Sequence, residues 1–128
     1  MYSRDGCDPA FWESFKTAKL DDMPKELKDA YLATAPQPEN LQSFFDKCVK
    51  RMLEFKGWTS EEIQSIKVPV LILQGDRDIV RPEHAVSMYR LLPKAELSIL
   101  PGTDHMAVVN RADLIIPIVE SFLDSNDQ

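Results

Sequence analysis

Two residues of this chain have the type and placement for acid–base chemistry, Asp78 and His105. A carboxylate that accepts a hydrogen bond from one imidazole nitrogen fixes the ring's tautomer and leaves the other nitrogen free to take a proton. Asp78 closes the stretch VPVLILQGDRD (68–78), and His105 closes AELSILPGTDH (95–105). Each therefore follows an apolar run, and in open parallel sheets ligand chemistry gathers beyond the carboxyl ends of strands. On spacing alone the pair equally fits a turn aspartate and a solvent-exposed loop histidine. Asp76 is expected to shape its turn by bonding local backbone N–H groups. His84, in the first turn of a helix, is expected at the surface. A metal reading would gather Asp76, Asp78, Asp104 and His105, but no HExxH or CxxC spacing supports it, so no metal and no cofactor are expected. Ser87, Ser98 and Ser121 do not stand on strand-to-helix turns, so none qualifies as a nucleophile of that kind.

The elements that must position the pair follow from pattern. Val68 to Leu73 is six consecutive apolar or proline residues. Such a run without alternation predicts a parallel strand covered on both faces. Pro82 opens a helix with Ala85, Met88, Tyr89 and Leu92 inward, and Pro93 ends it. Ala95 to Leu100 is a second strand, more polar and so nearer a sheet edge. The apolar stretch 106–109 follows, then a helix whose face is Ile115, Ile118, Val119, Phe122 and Leu123. Pro117 is expected in its first turn, since proline is unwelcome deeper in a helix.

Residues 9–66 read as helical throughout. Asp8 and Pro9 start a helix with Phe11, Trp12, Phe15 and Ala18 on one face. Pro24 opens a second, with Leu27, Tyr31 and Thr34, which ends before Pro36. In the third, Leu41, Phe44, Phe45, Cys48, Val49, Met52 and Leu53 keep helical spacing without a miss, and Gly57 follows as a cap. Thr59 and Glu62 form a capping box for a short helix to about Ile66. The texture changes to strand at Lys67, giving a helical segment 1–66 and a βαβα segment 67–128. Two strands are too few for a stable sheet, and their edges would carry unpaired backbone groups.

The chain has 128 residues, enough for one ordinary domain, with 44% hydrophobic and 28% charged residues. Its net charge of −6 argues against nucleic acid as a partner. No apolar run approaches the ~20 residues of a membrane helix, and MYSRDGCDPAF lacks the apolar core of a signal peptide. Cys48 falls on an apolar helical face, which predicts a buried thiol rather than a disulfide with Cys7 and fits a cytoplasmic setting.

Val-Pro-Val-Leu-Ile-Leu-Gln-Gly-Asp-Arg-Asp (68–78), Pro82-Glu83-His84-Ala85 and Leu100-Pro-Gly-Thr-Asp-His (100–105) together resemble the C-terminal part of the α/β-hydrolase superfamily. The resemblance implies a partial α/β-hydrolase sheet preceded by an all-helical cap-like segment, with Asp78 as triad acid and His105 as triad base. It implies hydrolysis of an ester or related bond in a small-molecule substrate. The family's Gly-x-Ser-x-Gly elbow is absent. The four glycines are Gly6, Gly57, Gly75 and Gly102, and no two flank a Ser, Cys or Asp at that spacing. Many relatives also carry a glycine directly before the histidine, where this chain has Thr103-Asp104. The chain alone is therefore expected to be inactive and to pair with a missing N-terminal half or with itself. The alternative is a non-catalytic binding or assembly module that associates through open sheet edges.

Overall fold

The computed structural model describes residues 1–106 and 110–126. It divides into two compact units, residues 9–56 and residues 1–8 with 57–128. The change of texture at Lys67 thus lies inside the second unit.

The helical unit contains α1 (Pro9–Ser14), α2 (Lys25–Thr34) and α3 (Leu41–Glu54). Its packing is aromatic. Trp12 is buried and stacks on Phe55 at 5.8 Å, Phe11 meets both Trp12 and Phe15 edge-on, and Tyr31 stacks on Phe44 at 4.9 Å. α3 ends at Glu54, capped by Phe55 rather than Gly57, and its stripe is not buried as expected. Leu41 is buried, Phe45, Val49 and Met52 are half-buried, and Phe44, Cys48 and Leu53 are exposed. The expectation of a buried Cys48 thiol fails because this unit supplies no element to cover that side of the stripe. Both cysteines are free.

In the second unit α4 (Ser60–Gln64) begins at the expected capping box. Thr59 Oγ1 accepts from the Glu62 N–H, and the Thr59 N–H donates to the Glu62 carboxylate at 2.7 Å. β1 (Val70–Gly75) and β2 (Ala95–Leu100) are parallel, in register from Val70↔Ala95 to Gly75↔Leu100. β1 starts two residues later than the apolar run. Pro69 has no N–H to give a ladder, and Val68 is exposed. Val70 to Leu73 are half-buried rather than covered on both faces, because the sheet has two strands among the described residues.

α5 (Pro82–Leu91) packs against both strands. Its buried positions are His84 and Ala85, with Leu92 just beyond its end, while Tyr89 is exposed. Of the expected inward residues Ala85 and Leu92 are buried and Met88 is half-buried, so only Tyr89 departs, and His84 joins them. α6 (Ala112–Asn126) covers the sheet face bearing Leu73 and Leu100 with Leu114, Ile115, Ile118 and Val119. It begins five residues before Pro117 rather than at it. The carbonyl that loses its donor there belongs to Asp113, which is exposed and can be met by water. Residues 107–109, most of the expected apolar stretch after His105, lie outside the described residues.

Candidate functional site

Asp78 and His105 meet beyond the carboxyl ends of β1 and β2. His105 Nδ1 lies 2.9 Å from Asp78 Oδ1. An ionised carboxylate only accepts hydrogen bonds, so the ring nitrogen facing it carries the hydrogen. In the neutral ring Nε2 then holds the free lone pair. The Asp78 side chain is only 10% exposed and the His105 side chain 58%. The acid is sheltered and the base is open to a reactant. Asp78 Oδ1 also accepts from the Val80 N–H at 2.9 Å, a local turn bond that aims the carboxylate. The local role expected of Asp76 therefore falls to Asp78.

Asp76 reaches the other loop instead. Its Oδ1 accepts from the Thr103 N–H at 3.1 Å. Backbone N–H groups of Gly102 and Thr103 together hold the Asp76 carboxyl below the usual carboxylate range. The Asp76 N–H donates to the Leu100 carbonyl and the Arg77 N–H to the Thr103 carbonyl, each at 3.0 Å. Gly75 lets the two loops approach this closely. A Cβ there would stand 1.8 Å from the Thr103 carbonyl oxygen. Gly102 takes φ +60, a left-handed conformation that glycine adopts without penalty. Asp104 closes the turn after it, accepting from the Met106 N–H at 2.9 Å.

His84 is buried, not at the surface, because residues 1–8 lie across it. Its ring stacks on Tyr2 at 4.5 Å, and its Nε2 accepts from the Tyr2 N–H at 3.1 Å. Gly6 leaves room for the ring, since a Cβ would come within 2.8 Å of it. Burial, seconded by the N-terminal ammonium, pushes the imidazole below its ordinary pKa, with Asp5 opposing. Ser87 is tied to the Tyr2 hydroxyl at 2.9 Å, and so belongs to this strap. Cys7 is buried in the same segment. Burial first, and then the charge of Asp78, pushes its thiol up. Nothing in the spacing of residues 1–8 announced the strap, which has no helical or strand period. Among the described residues no three His, Cys, Asp or Glu side chains gather as metal ligands, and no helix is long and apolar enough to cross a membrane.

No family model matches the chain. Among curated proteins, a proline iminopeptidase of Clostridium botulinum is 33% identical over 67 residues, 52% of this chain and 23% of the relative. A proline iminopeptidase of Lactobacillus acidophilus is 29% identical over 68 residues, 53% of this chain and 23% of the relative. The chain thus spans about a quarter of the length of the curated relatives it matches. Among solved structures, a putative lipase from Acinetobacter baumannii superposes with a TM-score of 0.62 at 26% identity, covering 82% of this chain and 36% of that one. An esterase from Thermogutta terrifontis superposes with a TM-score of 0.61 at 15% identity, covering 94% and 52%. The architecture is a partial α/β-hydrolase fold, its C-terminal part.

Proposed function

We propose that this chain, the C-terminal part of an α/β-hydrolase fold, supplies the acid and the base of a hydrolytic triad. The reaction is cleavage of an ester or related acyl bond through a covalent intermediate. The observation that carries the reading is the 2.9 Å pairing of His105 Nδ1 with the sheltered Asp78 carboxylate. Asp78 orients the ring and stabilises the imidazolium. His105 Nε2 first takes the proton of the nucleophile, then returns it to the leaving group. It next activates the water that releases the acyl group. The nucleophile and the oxyanion donors come from polypeptide outside these 128 residues, because no Gly-x-Ser-x-Gly is present. The names of the similar proteins (iminopeptidase, lipase, esterase) share hydrolysis at a carbonyl carbon, which supports the reaction class without choosing among substrates. In chain order the helices of 9–56 stand where the family inserts its cap. Two free thiols suit a reducing, cytoplasmic setting.

The partner in this reading is the polypeptide that carries the nucleophile. The half-buried β1 run and its edge, unpaired among the described residues, support it, and they equally favour a second reading in which two copies pair. The test is a chimera in which the N-terminal part of the A. baumannii lipase precedes this chain. The 128-residue chain alone should show no turnover of short acyl esters. The chimera should turn over, and His105→Ala should lower its kcat by at least about 10³-fold. Turnover by the chain alone, or by the His105→Ala chimera at the parent rate, would overturn the assignment. Without the partner, sedimentation should show self-association.

A further inference from the structure

The contact between Asp78 and His105 is too weak to order the loops that carry it. The imidazole is 58% exposed, and a hydrogen bond open to water contributes no more than it costs to fix one loop residue. Something else holds the geometry. Within the ladder, partners are twenty-five residues apart, from Val70↔Ala95 to Gly75↔Leu100. At Asp76–Thr103 and again at Asp78–His105 the separation is 27. Pro101 and Gly102 are the two residues looped out, at the positive φ of Gly102. The register that Asp78 and His105 share is therefore already set one step earlier, at Thr103.

Thr103 is 2% exposed, and each of its polar groups is engaged. Its N–H donates to Asp76 Oδ1 at 3.1 Å, and its carbonyl accepts from the Arg77 N–H at 3.0 Å. Its hydroxyl donates to the Pro101 carbonyl at 2.9 Å and accepts from Arg111 Nη1 at 2.6 Å. The same Arg111 nitrogen donates to the Pro101 carbonyl at 3.1 Å. Arg111 stands just before α6, so it ties the histidine loop to that helix. Asp76 ties the same loop to the end of β1.

We propose that Asp76 and Arg111 are positioning residues that, by holding Thr103 from two sides, keep His105 Nδ1 within hydrogen-bond reach of Asp78. The inference rests on the Asp78–His105 pairing of the proposed function. Neither residue hydrogen-bonds to the imidazole, and both act through the loop.

The test is the tautomer of His105 in the full chain, read by long-range ¹H–¹⁵N correlation; with two histidines in the sequence, assignment is direct. The wild-type ring should be mainly Nδ1–H, and Asp78→Ala should return it to the Nε2–H preference of free imidazole. Asp76→Ala and Arg111→Ala should each lower the Nδ1–H to Nε2–H ratio about fivefold, the population equivalent of one ordinary hydrogen bond. The amide spectrum should stay dispersed in both. Asp76→Asn keeps an oxygen acceptor for the Thr103 N–H and should keep the wild-type ratio. A merely structural role would lower stability and leave the tautomer alone. An unchanged ratio in Arg111→Ala, or in a folded Asp76→Ala, overturns the proposal. If Asp76→Ala does not fold, the Arg111→Ala ratio decides. A wild-type ratio equal to that of Asp78→Ala instead overturns the pairing itself, and with it the functional reading.

Discussion

The two compact units use their sequence differently. In the unit of residues 1–8 and 57–128, an apolar core around Leu100 and Ile115 is joined by buried small or polar residues, Thr103, Gly75 and His84. In the unit of residues 9–56, large apolar residues remain open, Phe44, Leu53, Leu27 and Leu32 among them. Burial in the first combines that apolar core with hydrogen bonds and close backbone approach at the strand exits. Burial in the second rests on a small aromatic cluster, and one side of the α3 stripe, Phe44, Cys48 and Leu53, is left open. The lesson is that hydrophobic period marks which face wants a partner, whereas the partner's presence is a separate fact.

The largest expected effect lies at the strand exits. Gly75→Ala forces a Cβ to 1.8 Å from the Thr103 carbonyl oxygen, a backbone atom that no side-chain rotation can move aside. Separating the loops breaks the bonds of Asp76 and Arg77 to Thr103 as well. The urea midpoint should fall by the equivalent of about 3 kcal/mol or more. Gly102→Ala meets no neighbour among the described residues and pays for its positive φ, about 1 kcal/mol. Equal costs for the two would mean that close approach is not what sets this region apart.

The helical unit should break elsewhere. Trp12 is 4% exposed and stacked on Phe55. Its replacement by alanine should cost about 3 kcal/mol, the low end for a buried aromatic. Phe44, at 42% exposed and touching Tyr31, should cost under about 1 kcal/mol. A Phe44→Ala cost near that of Trp12→Ala, growing with protein concentration, would show the stripe covered by a second copy.

These contrasts explain what could be read in advance. The Thr59–Glu62 capping box and the limits of α5 and β2 were legible because they are local, set within a turn or by a flanking proline. The apolar run before each put Asp78 and His105 at one sheet edge, the resemblance of 68–78 and 100–105 to the α/β-hydrolase superfamily read them as a pair, and the structure brings them to 2.9 Å. The roles of Asp76, Thr103 and Arg111 were not. Each depends on a partner in another loop or element, and no periodicity marks such a residue. One signal was present: a glycine just before Asp76, where two backbone segments pass closely, and another just before Thr103, at a positive φ. His84 was misread for a related reason, since the segment that buries it has no period of its own.

That buried histidine gives the smallest effect and the one that depends on pH. His84 accepts a hydrogen bond from the Tyr2 N–H through Nε2, so the folded chain needs that nitrogen unprotonated. Burial lowers its pKa below the ordinary value, near 6.5 in an unfolded chain. Above that value neither state binds the proton, and the contribution of the contact is complete. As pH falls below about 6.5, the unfolded chain takes up a proton that the folded chain refuses, and stability declines until the folded pKa is passed. The slope is at most one proton. Asp76, whose pKa is also lowered, acts in a separate window, beginning only near pH 4. Urea midpoints between pH 7.5 and 5 should therefore fall in the parent and fall less in His84→Gln, which keeps an acceptor for the Tyr2 N–H but cannot titrate. An identical slope in both would assign the decline to another group and leave residues 1–8 as a strap whose hold on the fold is indifferent to protons.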